Sequence, residues 1–166
     1  MIRVYLAGPA VFRPDAISEG KRLKRLCKDR NLEGLFPLDN ELPAGIPFDD
    51  TADWIKSANK DMIRLCSVVL AEVSPFRGPN MDPGTAFECG YAEALNKQVY
   101  YWTRDIRSLH ARMGRREHDD EGRSIENFDL VENLMIAACP AIGPFSSADI
   151  ALDLISVRFR TVNLDT

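Results

Sequence analysis

Long apolar runs are missing from this chain. None approaches the ~20 residues that a membrane-spanning helix needs, and the first residues run straight into a strand pattern instead of a signal-peptide one. A cytoplasmic protein with no membrane partner is expected. Basic residues are outnumbered, 21 Lys and Arg against 25 Asp and Glu, giving a net charge of −4 and a pI near 5.2. A nucleic-acid polymer calls for a basic face, so small molecules are the expected partners. Metal ligands are scarce: there are two histidines, and the four cysteines, Cys27, Cys66, Cys89 and Cys139, are widely spaced with no C-x-x-C pair. No metal site is expected, and the cysteines read as free, mostly buried thiols of a reducing compartment. No G-x-G-x-x-G and no low-complexity tract occur. What is present is 166 residues at 45% hydrophobic content, the size of one domain spanning 1–166.

Along the chain, short apolar runs alternate with helical spacing. Ile2 to Ala7 reads as a strand that Gly8-Pro9 turns out into a loop carrying Phe12. Ala16 to Arg30 reads as a helix with Leu23, Leu26 and Cys27 inward and its Lys and Arg residues outward. Leu35 to Leu38 reads as a second strand, followed by a loop at 39–48 with Pro and Gly that can cover a pocket. Asp50 to Arg64 has helical spacing with Trp54, Ala58, Met62 and Leu65 along one side. The stretch 104–127 is long and highly charged, and a surface loop is expected in preference to a lid. Phe128 to Cys139 resumes helical spacing, Ala141 to Pro144 reads as a last strand, and Ser147 caps a helix with Ile150, Leu154 and Val157 inward. Strands alternating with helices imply a five-stranded parallel sheet with helices on both faces, an α/β fold of doubly wound, flavodoxin-like type.

The middle of the chain, Ser67 to Thr103, reads as strand, loop, helix, strand. Val68 to Val73 suits a strand buried on both faces, and Val99 to Thr103 resumes the pattern. The intervening helix starts near Asp82, because an Asp N-cap accepts an otherwise orphaned backbone N–H and Pro83 loses nothing at the first helical position. Phe87, Gly90, Tyr91, Ala94 and Leu95 recur at helical spacing and are expected to face the sheet, with Glu88 on the flank of that stripe. Ligands of open α/β sheets bind beyond the carboxyl ends of the strands, and Asp82 and Glu88 are both delivered there. Two acids at one strand end are a candidate catalytic pair.

The string Ser74-Pro-Phe-Arg-Gly with Asp82-Pro-Gly-Thr-Ala-Phe-Glu-Cys-Gly-Tyr-Ala closely resembles the nucleoside 2'-deoxyribosyltransferase family. Val4-Tyr-Leu-Ala-Gly-Pro-Ala-Val-Phe12, Pro37-Leu-Asp-Asn40 and Glu132-Asn-Leu-Met135 resemble further pieces of it in the same order, so the likeness covers Ile2 to about Ile136. The resemblance implies transfer of 2'-deoxyribose between nucleobases with retention at C1', which takes two displacements through a covalent glycosyl ester. It makes Glu88 the nucleophile, Tyr5 its orienting partner and Asp82 the ligand of the sugar 5'-hydroxyl. It places Asn133 and Met135 in a neighbouring subunit's pocket, which implies a homo-oligomer built from dimers. Gly8 and Phe12 would line the sugar and base, and no cofactor is implied.

Glu41 stands where some relatives carry glutamine and Asn59 where some carry aspartate, so the polar edge offered to the base differs and base preference stays open. Two other readings compete: a deoxynucleoside or deoxynucleoside 5'-monophosphate N-glycosidase with water as acceptor, and a non-catalytic nucleotide-binding module. Asp82 beside a phosphate would meet like-charge repulsion, which disfavours the monophosphate.

Overall fold

The structure, a computed structural model, describes residues 1–162. Five strands, β1 (Ile2–Ala7), β2 (Leu32–Leu35), β3 (Val68–Glu72), β4 (Gln98–Trp102) and β5 (Ile142–Phe145), form one all-parallel sheet in the order β2-β1-β3-β4-β5. This is the doubly wound, flavodoxin-like order, whose direction of winding reverses between β1 and β3. Helices α1 (Ala16–Lys28) and α6 (Ala148–Val162) cover one face, packing on Val4, Leu6, Leu70 and Trp102. The other face carries α2 (Phe48–Leu65), α3 (Pro83–Ala94) and the single-turn α5 (Leu134–Ala137) over Tyr5, Val69, Ala71 and Tyr101. Successive strand residues therefore feed opposite cores, the two-residue period of a strand buried on both sides. None of the described helices is long and apolar enough to cross a membrane.

Several expectations are corrected. The second strand ends where it was expected to begin: Leu32–Leu35 pairs with Ile2–Tyr5, and Pro37 opens a 3-10 turn, Pro37–Asp39, because it has no N–H to give a sheet. On α3 the buried residues are Thr85, Cys89 and Ala92, while Phe87 is 50% exposed. These small side chains also recur at helical spacing and let the helix lie close to the sheet. Phe87 and Tyr91 stack on the outer flank, centroids 6.1 Å apart, under Lys56 and Lys60 of α2. The same inversion occurs on α6, where Ala148, Ala151, Leu152 and Ile155 are buried and Ile150, Leu154 and Val157 are exposed. Leu65 is exposed at the end of α2 and Ile63 takes the core position.

The helix expected over Phe128 to Cys139 shrinks to Leu134–Ala137. Asp129 adopts a left-handed φ of 57°, and Glu132 is drawn inward to bond the backbone of Met81, so the upstream residues cannot continue the spiral. The stretch 104–127 holds a one-turn helix, α4 (Leu109–Arg112), and a bridge between His118 and Ser124. Cys27, Cys66 and Cys89 are buried, Cys139 is exposed and all four are free; burial pushes the Cys27 and Cys89 thiols up to about 12.

Candidate active site

A cavity of about 380 Å³ opens at the carboxyl ends of β1 and β2, closed on its other sides by α2 and the start of α3. Its floor begins at Gly8, directly after β1. Gly8 has φ 151°, and a Cβ there would stand 2.9 Å from the Cβ of Glu72, so only glycine lets the chain turn this close to β3. Phe12 follows at the rim, stacked on Phe76 at 5.3 Å, with the Arg77 guanidinium over both rings.

The acids come from α3. Asp82 is buried and caps the helix: its Oδ2 accepts the backbone N–H and the hydroxyl of Thr85, each at 2.8 Å. Six residues on, Glu88 is half-buried beside the inward stripe of Thr85, Cys89 and Ala92, on a flank as expected but of a small-residue stripe and not an aromatic one. Its Oε1 accepts the Tyr5 hydroxyl at 2.6 Å and a long 3.5 Å bond from the Asn59 side-chain amide of α2. Among the described residues no donor reaches Oε2, which is left to the cavity. Tyr5 is fully buried on β1, and burial, then the Glu88 charge, pushes its phenol well above the ordinary tyrosine value, so it stays a donor.

Burial raises the Glu88 carboxyl to about 7, the nearby Asp82 charge adding to the rise and the Tyr5 and Asn59 hydrogen bonds opposing it. A folded-state value above the unfolded one means that the native state binds the extra proton. That contribution to stability is present below about 4.5 and lost as pH rises through about 7. Glu88→Gln, which keeps an acceptor for Tyr5 without the charge, is therefore expected to be more stable than wild type by about 2 to 3 kcal/mol at pH 8, and about equal at pH 4. Urea unfolding at the two pH values checks this; a variant less stable at pH 8 would refute the desolvated carboxylate.

Of the residues expected at the site, Gly8, Phe12, Asn59, Asp82 and Glu88 line the cavity and Tyr5 sits beneath it. Glu41 does not. It is exposed, while its neighbours Asn40, half-buried, and Leu42, 48% exposed, line the cavity. Asn133 and Met135 also lie outside the cavity of their own chain. Asn133 caps α5 and donates to Glu126 at 2.7 Å, and Met135, 77% exposed, borders a separate groove with Cys89, Gly90 and Glu93. No residue of 104–127 lines the cavity that holds Glu88. Sequence reading missed the apolar wall formed by Leu38, Leu42 and Ile55, and took Trp54 for core; all four line the cavity. It also missed Thr85 as the holder of Asp82, although an acceptor three residues before a Thr at a helix start was a usable signal. Among the described residues no group of three or more His, Cys, Asp or Glu is placed to hold a metal ion.

Residues 4–135 match the model of the family described as nucleoside 2-deoxyribosyltransferase. A 2-desoxiribosyltransferase from Leishmania mexicana is 35% identical in sequence and superposes with a TM-score of 0.82, covering 95% of this chain and 98% of that one. A 2-deoxyribosyltransferase from Bacillus psychrosaccharolyticus, 19% identical with a TM-score of 0.53 over 86% of this chain and 98% of that one, shares the fold. An uncharacterized protein of Schizosaccharomyces pombe is 38% identical over 107 residues, 63% of this chain and 51% of that protein, so the chain spans about half the length of that curated relative. The family match takes in most of β1, the cavity and the segment up to Met135, and the chain belongs to the nucleoside 2-deoxyribosyltransferase family.

Proposed function

We propose that the protein exchanges the nucleobase of 2'-deoxyribonucleosides through a covalent deoxyribosyl-Glu88 intermediate, with retention at C1'. The observation that carries this reading is the Tyr5 to Glu88 hydrogen bond of 2.6 Å, which fixes one carboxylate oxygen and turns the other into a closed-in cavity. In the first displacement Glu88 Oε2 bonds to C1' as the glycosidic C–N bond breaks, its electron pair leaving with the base, which takes up a proton. In the second, a nitrogen of the incoming base attacks C1' and gives up its proton, the ester bond breaks and the Glu88 carboxylate is restored. The carboxylate is ready for this because its partners hold Oε1, away from the attacking atom. Asp82, with Oδ2 committed to Thr85, offers Oδ1 to the sugar 5'-hydroxyl. The wall of Leu38, Leu42, Trp54 and Ile55 suits the flat apolar faces of a base.

Completion of the site by a second copy of the chain is part of the proposal. Asn133 and Met135 do not reach the cavity of their own chain, and an apolar surface lies open on α3 and beyond, where Phe87 is 50% and Met135 77% exposed. A two-fold dimer would bury this surface and give each cavity the partner's Asn133-Leu-Met135 segment. The free cysteines suit a cytoplasmic setting.

Incubation of deoxyinosine, deoxyinosine monophosphate and inosine, each with and without free adenine, tests the reaction. Deoxyinosine with adenine should yield deoxyadenosine and hypoxanthine. Turnover of the monophosphate should be at least about tenfold lower, since its dianion meets Asp82, and inosine should also be slow because an electron-withdrawing 2'-hydroxyl destabilises an oxocarbenium-like transition state. Faster consumption of the monophosphate, or release of free sugar alone in the presence of adenine, would establish an N-glycosidase instead.

A further inference from the structure

The side chain of Glu132 is 2% exposed, lies outside the cavity and is hydrogen-bonded on both oxygens. Oε2 accepts the backbone N–H of Met81 at 2.8 Å, and Oε1 accepts that of Asn133 at 3.0 Å. Its counter-charge is Arg112 of α4, 3% exposed and 3.4 Å from Oε2. The Arg112 guanidinium also donates to the carbonyls of Pro79 at 3.0 Å, Arg107 at 3.1 Å, Asp105 at 3.5 Å and Val131. A second carboxylate of the charged stretch, Glu126, accepts the Asn133 side-chain amide at 2.7 Å and the Leu134 N–H at 3.3 Å.

Met81 immediately precedes the helix cap Asp82. One buried carboxylate therefore fastens two residues that the proposed reaction uses on different surfaces: the chain beside Asp82, which faces this subunit's cavity, and Asn133, which does not. Buried ion pairs of this kind contribute little net stability over well-packed apolar side chains, because desolvating both charges offsets their attraction. What such a pair does deliver is geometry, since a planar guanidinium with five donors and a carboxylate with two acceptor oxygens fix the segments around them in one arrangement.

We infer that Glu132, held by Arg112, is a positioning residue for base exchange: it places Asp82 for the 5'-hydroxyl in its own subunit and Asn133 for the partner's. The charged stretch 104–127 then has a task. It is the brace of the site and not its lid, supplying Arg112 against Glu132 and Glu126 against Asn133. This inference rests on the reading of the site under Proposed function.

The test compares two substrates that differ only in the atom Asp82 is placed to bind. For the full chain, kcat/KM for exchange with adenine is measured on 2'-deoxyinosine and on 2',5'-dideoxyinosine. Glutamine at 132 has one acceptor oxygen for two N–H groups and turns its own NH2 toward the other, so Glu132→Gln should release one of the two segments. The wild-type preference for the 5'-hydroxyl is expected to fall at least tenfold in Glu132→Gln, through KM for deoxyinosine, with the dideoxy substrate little changed. Arg112→Lys, which keeps the charge but cannot reach four carbonyls, should do the same in part. A folded variant that retains the wild-type preference, or that loses both substrates equally, would overturn the inference. If Glu132→Gln does not fold, Arg112→Lys and hydrogen exchange of the unmodified protein decide: slow exchange at the Met81 and Asn133 amides is expected, and fast exchange at either would refute the clamp. Absence of base exchange in the wild type would instead refute the proposed function, and amide exchange would still judge the clamp.

Discussion

Glu88→Ala is expected to lose base exchange by at least about 10³-fold in kcat while keeping its fold, the size of effect seen when a covalent nucleophile is removed. Among the described residues, no other group lining the cavity can take its place. Asp82 is the remaining acid, but its Oδ2 is committed to Thr85 and its position is fixed at the helix cap, six residues from the oxygen that Tyr5 aims. The pH dependence follows from the same environment. Only the carboxylate attacks, and burial holds its pKa at about 7, so kcat/KM of the wild type should rise with pH through about 7 and fall tenfold per unit below it. A 2-fluoro-2-deoxyarabinosyl nucleoside, whose fluorine slows the second displacement, should leave a sugar ester on the peptide carrying Glu88. A label on any other residue, or a Glu88→Ala enzyme with more than a few per cent of wild-type turnover, would sink the assignment.

The raised carboxyl carries a cost to the fold that the chain accommodates locally. Tyr5 and Asn59 both donate to Oε1 and so offset part of the desolvation, while Asp82, buried nearby, works against it. A charge kept partly dehydrated in this way is less stable than a neutral side chain and more reactive toward an electrophilic carbon. The gain in stability expected of Glu88→Gln at pH 8 and the loss of activity expected of Glu88→Ala are two readings of this one property.

How much of this was legible in the sequence depended on whether a feature was set locally. The start of α3 could be read from Asp82 and Pro83 alone, since a cap and a ring without an N–H act on the next three residues. The strands β1, β3 and β4 and the doubly wound fold followed from apolar runs separated by helices. Helix faces did not. On α3 two stripes compete at the same spacing, one large and apolar, the other small, and the small one wins because the helix lies close to the sheet; on α6 both stripes carry Leu or Ile, and the one that also holds Ala148 and Ala151 is buried. The aromatic stripe expected beside Glu88 fails for that reason, while its half-buried place does not; position made it a candidate with Asp82, and the resemblance of the string around it implied the nucleophile's role. Glu41 was out of reach because the resemblance alone named it, and the irregular loop after the 3-10 turn Pro37–Asp39 brings Asn40 and Leu42 to the cavity in its place. The role of 104–127 lay further off still. Arg112 and Glu132 are 20 residues apart, and neither sits in a pattern that marks it as buried.

Mixing two inactive variants should restore activity. If each cavity takes Glu88 from one subunit and Asn133 from its partner, a dimer that pairs Glu88→Ala with Asn133→Ala has one cavity with both residues intact and one with neither. Random reassociation of equal amounts gives hybrids as half of all dimers, and each hybrid keeps one of two sites, so about a quarter of wild-type activity is expected. The size follows from the count of hybrids, and the reason to expect an effect is that Asn133 caps α5 outside its own cavity while Met135 stands 77% exposed. Subunits must be exchanged, by brief exposure to mild denaturant, and the mixture compared with each variant carried through the same treatment. The outcome also separates this arrangement from a site complete within one chain. In that case Glu88→Ala subunits hold no nucleophile and Asn133→Ala subunits retain whatever they have alone, so the mixture gives the mean of its components. An increase to several times that mean supports the shared site, and a mixture at the mean, or a fully active monomer by sedimentation, refutes it.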